Sequence, residues 1–417
     1  MSPVNHHLRR IAEQDLRFRA FACVGAADGA ADGAADDPTN QVLLGVKDLF
    51  DVAGLPTTLG TVAVPARVVT ETAAAVTALQ RWGAVVVGKT VTSEFAYFEA
   101  NMTRNPWNLA YSPGGSSSGS AAAVAAGEVP LAIGTQTNGS VIRPASFCGV
   151  VGVKPSYGAI SVDGLFPFAP SFDTVGSFAR SVRLAGVAAD VMAGGRLRYR
   201  DIADQGVPVV RGARLGVVRT GDWSRASEPM RALFASTVDL LDGHGVKSEE
   251  VVTPLCGEEP LALHKTISEF EGYRSLRQLS MQREDLLGDK VAEFIRDAAL
   301  VTEGDYESAL SRRDDLLAEL DAQLAGLDAL VTVPAAGEAP LAGDNGDPRF
   351  CTRWTLAGLP AVCLPAGFGP AGLPMGVQLV GHRGKDGALL RLASGLEGAL
   401  GFARNYERLD ASWKTNS

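Results

Sequence analysis

The sequence predicts an α/β fold in which helices are layered on a largely buried sheet. Two observations carry the prediction. From Gln41 onward, short apolar runs of strand length alternate with helical patterns. The 417 residues are also 46% apolar, enough to bury a large core in one big domain or two smaller ones.

Taken in order, Val42–Val46 reads as a strand, Thr70–Trp82 as a helix with Thr70 at its N-cap, and Ala84–Val87 as a strand. Ser120–Ala126 is a helix of small residues ended by Gly127, and Pro130–Ile133 and Val150–Val153 are further strands. Residues 195–330 carry more charge and read mainly as helices. Tyr306, Ala309, Leu310, Leu317, Leu320 and Leu324 recur there at helical spacing. Strands return at Ala329–Val333, Ala361–Pro365 and Gly376–Val380, where they are expected to rejoin the sheet begun in the first third. One core interrupted by a helical layer is therefore expected: a single domain over 1–417, with a core at 41–195, the helical layer at 196–327 and returning strands and a helix at 328–405. The acidic Ala-Ala-Asp-Gly repeats of residues 26–37 read as a solvated helix or mobile surface segment.

Composition removes several classes of function. The net charge is −9 and the basic residues are scattered, which disfavours nucleic acid as a partner. No apolar run approaches the roughly 18 residues of a membrane span, and no signal peptide is legible. Five cysteines, odd in number and without a CxxC pair, suit reduced thiols in the cytoplasm. The five histidines (His6, His7, His244, His264 and His382) show no metal-ligand spacing, so neither a metal nor a histidine base is expected.

Two familiar motifs match in letters and fail in context. Gly83-Ala-Val-Val-Val-Gly-Lys-Thr90 satisfies GxxxxGK[ST], but a helix precedes it and β-branched valines fill the segment that must wrap a phosphate. Gly115-Ser-Ser-Ser-Gly119 satisfies GxSxG, which would make Ser117 the nucleophile of an α/β-hydrolase-type esterase with His382 as its late histidine. That elbow needs a strand running into it, and Ala110-Tyr-Ser-Pro113 is a poor one.

Three stretches together point to hydrolytic chemistry. In Gly45-Val-Lys47-Asp48 a lysine ends a buried strand, where lost solvation disfavours its charged form and makes it a candidate base. Ser112-Pro-Gly-Gly-Ser116-Ser-Ser-Gly-Ser120 brings serines and a pliable backbone together, and serine needs such a base to become a nucleophile. Gly134-Thr-Gln-Thr-Asn-Gly-Ser140-Val-Ile-Arg143-Pro is a turn opening a helix, with main-chain N–H groups suited to an oxyanion.

With these residues in view, the sequence resembles the amidase signature family, most densely from Gly45 to Arg180. Asp173-Thr-Val-Gly-Ser-Phe-Ala-Arg180, Trp354-Thr-Leu-Ala-Gly-Leu-Pro-Ala361 and Gly376-Val-Gln-Leu-Val-Gly381 extend the likeness. The resemblance implies one large domain whose central mixed β-sheet is covered by helices on both faces, and hydrolysis of a linear amide without any cofactor. It implies Ser140 as nucleophile, Ser116 as bridging serine after a cis Gly115–Ser116 bond, and Lys47 as terminal base. Thr137, Asn138 and Gly139, with Ser140, would form the oxyanion hole, and Gly115 would adjoin the substrate. Arg349, Phe350 and Trp354 would line the pocket, and a homodimer is implied as well.

Two departures bear on substrate. Asn138 stands where many members have glycine, and tolerates a left-handed turn if one is needed there. Arg143 lies three residues after Ser140, an arrangement that resembles malonamidase-like members, in which the matching arginine binds a substrate carboxylate. Competing expectations are the glutaminase subunit of an amidotransferase and a catalytically dead member that acts by binding.

Overall fold

The computed structural model describes residues 3–25, 42–200, 210–280 and 283–414. The acidic repeats at 26–37 lie outside the described residues, as do the side chains of His6 and His7. The elements run α1 (Pro3–Phe18), β1 (Phe21–Val24), β2 (Val42–Lys47), the hairpin β3 (Pro56–Thr57) and β4 (Arg67–Val68), α2 (Ala74–Arg81) and β5 (Ala84–Thr90). Next come α3 (Ser118–Ala125), β6 (Leu131–Gln136), α4 (Ile142–Cys148), β7 (Val151–Lys154), β8 (Thr174–Ala179) and α5 (Val182–Met192). They are followed by β9 (Arg214–Val217), α6 (Glu228–Gly243), β10 (Lys247–Glu250), α7 (Glu259–Ser280), α8 (Asp289–Ala298) and α9 (Glu303–Leu324). The chain closes with β11 (Ala329–Thr332), α10 (Arg349–Leu356), β12 (Ala361–Phe368), β13 (Pro374–Val380), α11 (Asp386–Leu400) and α12 (Asn405–Lys414).

Eleven strands form one mixed sheet in the order β1-β5-β2-β6-β8-β7-β12-β13-β11-β9-β10. β2 pairs in parallel with β5 and β6, β9 does so with β10 and β11, and the other pairs are antiparallel. The period-2 alternation of the central strands divides their side chains between two cores. Leu44, Val46, Val86 and Ile133 pack under α2, α5 and α11, while Leu43, Val85, Val87 and Ala132 pack under α3 and α4. α3 consists of small residues because it lies against its neighbours without a gap: a Cβ at Gly119 would collide with the Ala20 carbonyl. A third apolar cluster joins α7, α8 and α9 to Phe168 and Phe172, above one end of the sheet's first half.

The structure departs from the sequence expectation in several places. α2 starts at Ala74, not after a Thr70 cap; the nearby Thr72 hydroxyl accepts from the Ala53 amide instead. β5 runs on to Thr90, so all of the P-loop-like segment after Gly83 is strand. Its Lys89 is buried and spent on Asp48, Thr57 and the Pro56 carbonyl. Within 195–330, read mainly as helices, β9 and β10 add two strands that extend the same sheet to its edge.

Candidate active site

Lys47 ends β2, a strand flanked on both sides, and the residue is 0% exposed. Nζ lies 2.8 Å from Ser116 Oγ and 2.8 Å from Thr135 Oγ1. Burial drives its pKa well below the usual 10.5, and the Asp173 carboxylate opposes that only in part. A neutral amine can donate to Thr135 and still offer its lone pair to the Ser116 hydroxyl. Gly115–Ser116 is a cis peptide.

The turn between β6 and α4 carries Thr137 to Ser140. Gln136 organises it: its Oε1 accepts from the amides of Val141 and Ile142, and its Nε2 donates to Thr355 Oγ1. The first turn of α4 is thereby capped from the strand side. The amides of Thr137, Asn138, Gly139 and Ser140 donate to no protein acceptor among the described residues. Four free N–H groups thus gather at the helix start, next to two that are occupied. Asn138 is outside the positive-φ residues, so its turn does not need the left-handed conformation. Its side chain accepts from Thr352 Oγ1 at 2.5 Å, and its carbonyl accepts from Thr355 Oγ1 at 2.6 Å.

Two buried groups hold Thr137. His264 Nε2 lies 2.8 Å from its carbonyl and must donate there, and the imidazole stacks on Phe172 with centroids 4.4 Å apart. Burial lowers the His264 pKa to about 4, so the ring is neutral at pH 7. The Thr137 hydroxyl donates to Asp173, whose other oxygen accepts from the amides of Phe168 and Ala169. Burial raises the Asp173 carboxyl to about 6.

Ser116, Thr137, Asn138, Ser140 and Arg143 all line a cavity of about 280 Å³. Arg143 is 2% exposed, and its Nη2 donates to the Gly115 carbonyl at 2.7 Å. Its Nε and Nη1 have no partner. Burial lowers the guanidinium only to about 10, so a charged group with two unused donors sits in the cavity wall.

The expected late residues divide. Arg349 lines the cavity but is already forked between Asp347 and Asp222. Phe350 and Trp354 do not line it: they fall into the cores on opposite faces of the sheet, because α10 turns Arg349 and Thr352 to the cavity and these two aromatics inward. Ser117, the GxSxG serine, is fully buried, and its hydroxyl bridges the Thr135 carbonyl and amide. His382 lines a different cavity and bonds to the Leu327 carbonyl. No group of His, Cys, Asp or Glu among the described residues is arranged to hold a metal ion, and no described helix is long and apolar enough to cross a membrane. Gln136, His264, Asp173 and the aromatic lining residues Tyr97, Phe98, Phe168 and Phe294 were not legible as site residues, although Gln136 offered a local signal as an amide just before a helix start and Asp173 opens a family-like stretch.

The family model for Amidase matches residues 7–390. The chain belongs to the amidase family. It is a family hydrolase acting on amide C–N bonds. It is 33% identical to a subunit of the glutamyl-tRNA(Gln) amidotransferase of Roseiflexus sp. (strain RS-1), over 92% of this chain and 90% of that one. Among solved structures, one described as an amidase superposes with a TM-score of 0.84 at 30% identity, covering 95% of this chain and 96% of the other. The native peptide amidase of Stenotrophomonas maltophilia matches with a TM-score of 0.78 at 28% identity, covering 95% and 92%. The mixed sheet clad with helices is the fold expected of this family.

Proposed function

We propose that this amidase hydrolyses small amides that carry a carboxylate, through a Ser140 acyl-enzyme. The observation that carries the reading is Arg143, a buried guanidinium that lines the same cavity as Ser140 and Ser116 and whose Nε and Nη1 have no protein partner. In this mechanism Ser140 Oγ attacks the amide carbon, passing its proton to Ser116 Oγ, whose own proton moves to neutral Lys47 Nζ. The carbonyl oxygen becomes an oxyanion among the amides of Thr137, Asn138, Gly139 and Ser140. Collapse breaks the C–N bond as the proton returns through Ser116 to the leaving nitrogen. Water then attacks the ester by the same relay, releasing acid and restoring Ser140.

The test is ammonia release from malonamic acid by the purified chain and by Ser140→Ala. Loss in the variant supports the reading; persistence moves the nucleophile elsewhere. The second reading, a glutaminase subunit, is favoured by the likeness to amidotransferase subunits. Glutamine cleaved only in the presence of a partner would select it.

A further inference from the structure

The wall of the cavity facing Arg143 is built for something larger than a three-carbon amide acid. The Arg143 guanidinium lies 5.8 Å from the Phe98 ring centroid. Phe98 stands edge-on to Tyr97 at 5.0 Å, and Tyr97 lies 4.5 Å from Phe294. Phe168 closes the group, 5.9 Å from Tyr97 and 5.5 Å from Phe294. All four rings line the cavity that Ser140 enters. A cation thus stands at one end of a continuous aromatic row.

The row is held in place at a conformational cost. Phe95 and Ala96, just before Tyr97, adopt left-handed backbone at φ 48° and 63°, which disfavours side chains with a Cβ. Glu94 and Glu99 on either side accept from the amides of Gly288 and Lys290, tying this segment to the first turn of α8, which carries Phe294. The Tyr97 phenol is neutral: burial and the carboxylates of Glu269, Glu293 and Asp297 push it up to about 12. The four rings therefore present uncharged faces and edges, with the Lys265–Glu269 pair beside them in the cavity lining.

We infer that the preferred substrates carry an aryl group as well as a carboxylate, with the carboxylate on Arg143, the amide carbon at Ser140 and the aryl group along Phe98, Tyr97 and Phe294. This rests on the carboxylate reading of Arg143 and deepens it to an aryl-substituted amide acid.

Four amides separate the two statements when ammonia release is measured with the full chain: propanamide, 3-phenylpropanamide, malonamic acid and 2-benzylmalonamic acid. The expected order places 2-benzylmalonamic acid roughly tenfold or more above malonamic acid in kcat/KM, with both neutral amides lower. In Phe294→Ala, or Tyr97→Leu should that variant fail to fold, the ratio between the two acids falls towards one. Malonamic acid cleaved as well as its benzyl derivative would overturn the aryl inference and leave the carboxylate reading standing. A 3-phenylpropanamide rate equal to that of 2-benzylmalonamic acid would overturn the carboxylate reading, and this inference with it. Should turnover be undetectable, calorimetric binding of the two acids to Ser140→Ala decides in its place: a Kd ratio of tenfold or more supports the inference, and equal Kd values overturn it.

Discussion

Lys47 Nζ and Ser116 Oγ stand 2.8 Å apart in a site where neither side chain is more than 2% exposed. A protonated lysine there could only donate; a neutral one can take the serine proton. Activity is therefore expected to rise with pH as Lys47 deprotonates, with a midpoint well below 10.5. A pH profile of kcat/KM checks this, and activity still rising above pH 10.5 would remove a neutral buried lysine as the base. Lys47→Met should lose at least about a thousandfold in kcat, as expected when a base and its relay act as a unit.

The two candidate serines differ in what they face. Ser140 lines the cavity, whereas Ser117 is bonded to the backbone of β6. Ser140→Ala should abolish turnover and acyl-enzyme formation. Ser117→Ala should instead cost about 1–2 kcal/mol of stability, because it leaves buried backbone groups unpaired. Mass spectrometry of the acid-quenched enzyme with a slow substrate distinguishes them: the acyl adduct should map to Ser140.

Arg143→Leu removes the charge that the carboxylate reading requires. The loss in kcat/KM for malonamic acid is expected to be about 100-fold, the worth of two charge-assisted hydrogen bonds. Propanamide should lose far less. Equal losses on both would show that Arg143 acts by holding the Gly115 carbonyl rather than by binding substrate.

His264 is buried neutral, and that sets a sign for acid stability. Its folded pKa, about 4, lies below the ordinary 6.5, so the unfolded chain binds the proton more readily. Its contribution is complete above pH 6.5 and is lost as pH falls towards 4, by about 3 kcal/mol in all. Denaturant titrations should show His264→Phe losing less stability over that window than the parent. The variant should also turn over more slowly at every pH, since the Thr137 carbonyl has lost its donor.

Gln136→Ala uncaps α4. It is expected to cost about 1–2 kcal/mol in unfolding free energy and to lower kcat more than it raises KM. A kcat equal to that of the parent would show that Ser140 is positioned without Gln136.

Much of this was legible because the informative residues break local rules. Lys47 is a charge ending an apolar run, and glycines and serines crowd positions 112–117 just ahead of a helix. The central strands showed through short continuous apolar runs, because both of their faces are buried. β10, which reads Lys-Ser-Glu-Glu, did not, because an exposed edge strand needs no apolar face. Phe350 and Trp354 show another limit: both are aromatic and both lie on the helix that touches the cavity, but which face of a helix meets a cavity is decided by packing. His264, Phe294 and Tyr97 come from segments scattered over almost 200 residues, brought together by the tertiary fold.

Asn138 is gripped by Thr352 and Thr355, on successive positions of one face of α10. Every side chain of the proposed proton relay has been translated by Ser140, yet the turn that would stabilise the oxyanion is clamped by residues made more than 200 positions later. A growing chain would thus carry the proposed reacting groups through that whole interval without the clamp on its oxyanion turn. On that reading, the oxyanion turn takes its final form only once α10 has been made and packed against it.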